Sequence, residues 1–365
     1  MKIPYVNLDT QYKKEKKDLI KIFDRVLISG NYVGGEFVKK FEESVARYCG
    51  TKYCVSFNSG TDALTLALHL LGVRKGDEVI TTPNSFIAST AVILHIGAKP
   101  VFVDVLDDQN INPELIEEKI TNKTKAIMPV HLTGRVCQMD KIQKLAKKRN
   151  IKIVEDSAQA IGSKYKNKFS GTFGDVGCFS AHPLKNLNAI GDAGYFTTNS
   201  KKINDLAKDL RNHGMTNRNV VKNFGYVSRM DNLQAAILNY RLKKLPSVIQ
   251  ARRKNANLYF QLIDQKNVFI PKEKKLEFNT YHTFVIQVKK RDQLKKYLKK
   301  YNIDTSIHYP IPIHLQPAAK KLGYQRGDFV KTEEQSKKIL TLPINQYLTK
   351  DKIKFISNKI NQFYS

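Results

Sequence analysis

The chain has 365 residues, with 62 Lys and Arg against 33 Asp and Glu, a formal net charge of +29 and 41% hydrophobic residues. That balance fits a soluble globular protein too long for one core of about 100–150 residues, so a large domain and a smaller one are expected. Apolar runs such as 88–96 fall far short of the roughly 20 residues a membrane span requires, and the first residues lack a secretory h-region, so a cytoplasmic protein without a membrane partner is expected.

Two helices open the chain, at about 11–28 and 36–48, joined by the glycine-rich hinge Ser29-Gly30-Asn31-Tyr32-Val33-Gly34-Gly35. From residue 52 to about 198, short apolar runs alternate with amphipathic stretches. Strands are predicted at 53–57, 78–82, 100–104, 124–129, 152–155, 176–180 and 194–198, and helices at 60–71, 86–96, 113–120 and 139–149. This alternation predicts a three-layer α/β domain with a mainly parallel sheet covered on both faces. A long helical stretch at 230–265, broken at Pro246, leads into an α+β unit. It comprises a strand at 280–288, a helix at 291–300, a loop at 308–316 and helices at 333–339 and 350–363. The division expected is 1–245 for the large domain and 246–365 for the smaller one.

The basic residues are scattered, at 13–17, 147–149, 289–300 and 350–359, with helical spacing and no basic–aromatic signature. They read as a solvated surface and not as a nucleic-acid site, although the field would attract an anionic small substrate such as a nucleotide diphosphate. Cys49, Cys54, Cys137 and Cys178 show no CxxC spacing, so free thiols are expected and neither a disulfide framework nor a metal site.

Ligands of open α/β sheets sit beyond the carboxyl ends of the strands, and four motifs fall there. In Phe57-Asn58-Ser59-Gly60-Thr61-Asp62, a strand ends at a small turn that starts a helix. Free N–H groups and hydroxyls there make an anion site; an ordinary N-cap by Ser59 or Thr61 would look the same. Phe86 follows the next strand and can stack on a flat ligand or fill the core. Asp156, in Glu155-Asp156-Ser157-Ala158-Gln159, ends a strand, where it caps a helix or pairs with a pyridinium nitrogen, with Gln159 within reach of the same ring. Ser180 and Lys185 lie in Phe179-Ser180-Ala181-His182-Pro183-Leu184-Lys185, before Gly191 and Gly194. A partly desolvated lysine beside such an acid is what a Schiff base to pyridoxal 5′-phosphate (PLP) requires.

Taken in order, these motifs resemble the DegT/DnrJ/EryC1/StrS family of sugar aminotransferases, of the PLP-dependent transferase type I fold. The resemblance runs from Ile3-Pro4-Tyr5-Val6-Asn7-Leu8 through Gly76–Ile80, Val130–Gly134 and Ser228–Asp231 to His308-Tyr309-Pro310 and His314-Leu315-Gln316. It implies that Lys185 anchors the cofactor and moves the proton. It further implies that Asp156 pairs with the ring nitrogen, Gln159 with the ring oxygen, Gly60, Thr61 and Ser180 with the phosphate, and that Phe86 stacks on the ring. Lysine at 185, where the family's dehydratases have histidine, implies transamination. Glutamate would give its amino group to a nucleotide-linked ketosugar, with a dTDP-linked 6-deoxy sugar preferred. Tyr32, His182, Tyr226, Arg229, His308 and His314 would line the substrate mouth, in a homodimer with its site at the interface. A regulatory, non-catalytic protein of the same fold is the alternative. One position departs from the family: Val227 stands where many members have an asparagine that reaches the partner subunit's cofactor phosphate, and Ser228 or Asn232 would have to replace it.

Overall fold

A computed structural model describes residues 2–365. Helices α1 (Leu8–Ser29) and α2 (Glu36–Cys49) come first, each closed by a left-handed glycine, Gly30 or Gly50. Then follow β1 (Tyr53–Phe57), α3 (Gly60–Leu70), β2 (Glu78–Thr81), α4 (Ala88–His95), β3 (Lys99–Phe102), β4 (Thr124–Ile127), α5 (Met139–Arg149) and β5 (Lys152–Asp156). A short hairpin, β6 (Lys164–Tyr165) and β7 (Lys168–Phe169), precedes β8 (Val176–Ser180), β9 (Gly194–Thr198) and α6 (Lys201–Leu210).

The large sheet has seven strands in the order β1-β9-β8-β5-β4-β2-β3. β9 runs antiparallel to both β1 and β8, while the remaining pairs are parallel. Alternation of side chains splits neighbouring residues between two cores. On β2, Val79 joins Leu66, Val92 and Leu210 of α3, α4 and α6, while Ile80 joins Ile142 of α5. Farther along the same sheet, Cys178 faces the first core and Phe179 packs with Phe41 of α2 and Leu242. Covered on both faces, these strands are apolar throughout, as a parallel sheet demands.

A small ribbon, β10 (Met215–Asn217) and β11 (Val220–Val221), leads to α7 (Asn232–Leu262). This helix continues through Pro246 where a break was expected. Packing along its length holds it: Leu245 and Ile249 sit in the large core, Ala256 and Tyr259 in the C-terminal one. Beyond it come β12 (Val268–Phe269), β13 (Glu277–Phe278), β14 (Phe284–Val288), α8 (Arg291–Lys300), α9 (Val330–Lys338), β15 (Ile339–Leu342) and α10 (Lys350–Tyr364). β14 is the centre of a three-stranded antiparallel sheet with β12 and β15. Ile3 reaches into this C-terminal core and its N–H donates to Asn302 O at 2.9 Å, which ties the segment before α1 to the C-terminal unit.

Three expected elements differ. The stretch 113–120 forms two 3-10 turns, Pro113–Leu115 and Glu117–Lys119, each too short for a helix. The strand expected over 280–288 starts at Phe284, which leaves 280–283 as loop. Phe86 precedes α4 instead of lying inside it. Among the described residues, no helix is long and apolar enough to cross a membrane.

Candidate active site

The carboxyl ends of β1, β5 and β8 open into a cavity of about 390 Å³ between the large sheet and the C-terminal unit. That size suits a cofactor or substrate. Gly60, Thr61, Phe86, Asp156, Gln159, Ser180, His182, Lys185 and His308 line it, so the sequence motifs converge although they span nearly 250 residues.

One wall is the start of α3. Ser59 caps the helix by accepting from Asp62 N at 3.1 Å, which leaves the first-turn N–H groups facing the cavity without helical partners. The close approach of β8 and β9 forces glycine here. A Cβ on Gly60 would stand 2.7 Å from Ser180 Cβ, and one on Gly194 would stand 2.2 Å from the carbonyl carbon of Ser59. The capping and anion-site readings of this turn are therefore compatible, since different groups serve each.

The floor is β5 and its turn. Adjacent acids at the end of this strand point to opposite faces. Asp156 faces the cavity, its Oδ2 accepting from Ser89 Oγ at 2.7 Å and its Oδ1 from Ala158 N at 3.2 Å. Glu155 points into the core, where its carboxylate accepts from Gly171 N, Phe173 N and Gly174 N at 2.7–2.8 Å and from His131 Nε2 at 2.9 Å. Cys137 N donates to His131 Nδ1, so the ring proton sits on Nε2. Gln159 Oε1 accepts from Thr133 N at 2.8 Å, which turns its Nε2 toward Tyr309, whose hydroxyl lies 3.4 Å away.

Lys185 follows β8 in a turn closed by its own N–H on His182 O at 2.8 Å. Burial lowers its ammonium from 10.5 to about 8, against the opposing pull of the Asp156 carboxylate. At pH 7 this raises the neutral amine roughly 300-fold over a solvated lysine. His308, on the far wall, is pushed down to about 4 by burial and by the Lys185 charge, so it is neutral at ordinary pH. Its Nδ1 lies 2.9 Å from Thr341 Oγ1.

Four expected mouth residues do not line this cavity. His314 is 2% exposed, with its Nε2 3.0 Å from Glu333 Oε1 and its ring against Phe329. Arg229 donates to Asn212 Oδ1 at 3.0 Å, and Tyr226 packs against His69. Tyr32 is exposed in the hinge, its hydroxyl 3.5 Å from Leu27 O. Ser228 and Asn232 are also committed within the chain, Ser228 to Asp62 Oδ2 at 2.5 Å and Asn232 to Asn31 O at 2.8 Å. Conversely, Tyr5, Ser89, Arg252, His282 and Asn345 line the cavity without having been singled out for it, as does Tyr309 of the expected 308–314 mouth. Tyr5 and Tyr309 lie inside motifs already noted; Arg252 and His282 carry no local signal at all.

The DegT/DnrJ/EryC1/StrS aminotransferase family profile matches residues 13–361, nearly the whole chain. The chain belongs to this family. A dTDP-3-amino-3,6-dideoxy-alpha-D-galactopyranose transaminase of Aneurinibacillus thermoaerophilus is 40% identical over 99% of both chains. The pleiotropic regulatory protein of Geobacillus stearothermophilus is 38% identical over 100% of this chain and 99% of its own. The crystal structure of S. venezuelae DesV in complex with a ketimine intermediate superposes with a TM-score of 0.97, at 34% identity, over 99% of this chain and 98% of that one. The fold is thus that of the PLP-dependent aminotransferases, as expected from the motifs.

The cofactor of this family is PLP, and solved neighbours carry it or its aminated form. The residues here fit it. Gly60, Thr61 and Ser180 line the cavity at the start of α3, where free N–H groups suit a phosphate, the Asp156 carboxylate faces the cavity, and Lys185 is depressed toward its reactive form. When bound, PLP supplies an electron-withdrawing ring that stabilises a carbanion.

Proposed function

We propose that this aminotransferase moves an amino group from glutamate to a nucleotide-linked ketosugar, with a dTDP-linked 3- or 4-keto-6-deoxy sugar as the preferred class. The observation that carries it is the Lys185–Asp156 pair: a lysine lowered to about 8 in a cavity that also holds a buried, hydrogen-bonded carboxylate. That pair supports a catalytic reading over a purely regulatory one, even though a 38% identical relative is named as a regulatory protein. Several relatives bear names of dTDP- and UDP-sugar aminotransferases, which supports the sugar class.

In this reading, Lys185 would hold the cofactor and, as the lowered amine of the cavity, would move the proton at the reacting carbon. Asp156 would pair with the ring nitrogen, Gln159 with the ring oxygen, Gly60, Thr61 and Ser180 would hold the phosphate, and Phe86 would stack on the ring. His182 and His308 face the sugar. The net charge of +29 draws in a diphosphate. The enzyme acts in the cytoplasm, as two units divided near residue 245.

A homodimer with its sites at the interface completes the reading. Exposed apolar side chains support it: Ile20, Phe23 and Leu27 on α1, and Val220, Val221, Phe224 and Val227 on the β10–β11 arm. Incubation of the holoenzyme with glutamate and a panel of dTDP-, UDP- and GDP-ketosugars tests the function. One panel member should gain the mass change of ketone to amine. No conversion of any member, together with no 2-oxoglutarate, would sink the proposal.

A further inference from the structure

Four arginines of this chain are 8% exposed or less: Arg135, Arg241, Arg252 and Arg291. Three have a carboxylate. Arg135 meets Glu277, Arg241 meets Glu15 at 2.7 Å and Arg291 meets Asp292 at 2.6 Å. Arg252 has none among the described residues. Its Nη1 donates to Tyr281 O and His282 O at 3.1 Å, and its buried Nε meets no acceptor. A buried guanidinium without a counterion is costly, so its retention on a cavity wall points to an anion supplied from outside.

A second group points the same way. Asn345, 5% exposed, lines the same cavity with its Nδ2 unpartnered, while its Oδ1 is occupied by Tyr347 N at 3.1 Å. An amide whose acceptor is satisfied and whose donor is idle also seeks an acceptor. Tyr5, tied down through the neighbouring Ile3, adds a hydroxyl to this wall.

The identity of the anion follows from position. The start of α3, with Gly60, Thr61 and Ser180, already offers donors to a phosphate. Arg252 instead stands beside His282, and His282 lies within the field of both Arg252 and Lys185. Arg252, His282 and Lys185 line one cavity, so an anion held by Arg252 shares that cavity with the reacting amine. An amino acid carries its α-carboxylate on the very carbon that loses its amine, whereas the diphosphate of a sugar nucleotide is separated from the ketone by part of the sugar ring.

We propose that Arg252 and Asn345 form the receptor for the α-carboxylate of the amino donor, Arg252 through its free guanidinium edge and Asn345 through its side-chain N–H. This rests on the aminotransferase reading above. It means that the donor and the sugar share the reacting centre but use different walls.

The test follows the first half-reaction of the holoenzyme with L-glutamate by the loss of the cofactor's visible band. Arg252→Gln should raise the half-saturating glutamate concentration at least 30-fold and Asn345→Ala about 5- to 10-fold, with Arg252→Lys between wild type and Arg252→Gln. Cofactor affinity, titrated on the cofactor-free protein, and dTDP affinity, measured by calorimetry, should stay within 3-fold. Half-saturation within 3-fold of wild type overturns the proposal. So does a parallel fall in cofactor or dTDP affinity, which would mark a phosphate contact or a structural tie to the 281–282 backbone. If Arg252→Gln does not fold, Asn345→Ala decides alone, since it leaves the Arg252 bonds in place. A wild-type enzyme that glutamate cannot convert overturns the donor assignment itself, which separates that failure from this one.

Discussion

Ser89 donates its hydroxyl hydrogen to Oδ2 of Asp156 at 2.7 Å, and Ser85 Oγ lies 2.7 Å behind it. This relay from the start of α4 fixes the orientation of the Asp156 carboxylate through a charge-assisted hydrogen bond. If Asp156 pairs with the cofactor ring as proposed, Ser89→Ala should weaken cofactor binding by about 10-fold or more, since one hydrogen bond to a charged group is worth about 1.5–3 kcal/mol. Fluorescence titration of the cofactor-free protein checks it. An unchanged affinity would mean that Ala158 N alone orients Asp156.

The depressed Lys185 makes a pH prediction. Its folded value of about 8 lies below the unfolded 10.5, so the folded state resists protonation. The penalty is fully present below pH 8, shrinks as pH rises between 8 and 10.5, and vanishes above that window. Replacing the lysine by Met in the cofactor-free protein should therefore stabilise it at pH 7 by up to roughly 3 kcal/mol, with the gap closing by pH 10.5. Urea unfolding of both proteins at pH 7 and 10 measures this. A constant gap would assign the difference to packing and not to charge.

Much of this site could be read in the sequence because its parts are local. A strand followed by Asn58-Ser59-Gly60-Thr61, or by Asp156 and then Gln159, places donors and acids at strand ends through alternation and chain direction alone. What could not be read depends on which distant elements meet. Nothing near Arg252 distinguishes it from Arg253, which pairs with Glu273 at 2.6 Å, since helical spacing turns one inward and the other aside. His314 looked like its neighbour His308, but burial against Phe329 and Glu333 removes it from the cavity. Pro246 was read as a break because the missing N–H is local, whereas the packing that carries α7 past it is not. The two-layer covering of the sheet was legible in the apolar runs of β2, β5 and β8, whose every second residue serves a different core.

The neighbour of Asp156 has a structural task of equal weight. Glu155 and His131 are both 0% exposed, and the carboxylate gathers three backbone N–H groups of the turn 171–174. Gly171 in that turn packs against Phe179, where a Cβ would stand 2.5 Å from the ring. Removing the acid leaves these donors unpaired inside the core. Glu155→Ala should cost about 3–5 kcal/mol or prevent folding. Glu155→Gln, which keeps acceptors for some of the N–H groups, should cost less. Denaturant midpoints of the cofactor-free proteins compare them, and equal losses would show that shape matters here and charge does not.

Val227 offers the cleanest test of the departure from the family pattern. It is 58% exposed, in a short bridge to Asn212, so a polar residue there disturbs no core. Ser228 and Asn232, the nearest possible substitutes for an asparagine, are held by Asp62 and Asn31 in their own chain. The arm carrying Val227 also holds the exposed Phe224 and Val221, the apolar surface a second subunit would cover. Val227→Asn should leave the unfolding midpoint nearly unchanged, within about 0.5 kcal/mol, as for other exposed substitutions. In the proposed homodimer it should tighten cofactor binding several-fold by adding one donor to the partner's phosphate. Titration at protein concentrations above and below dimer dissociation separates the two contributions. A gain that persists in the monomer, or no gain in the dimer, would show that this arm does not reach the partner's site.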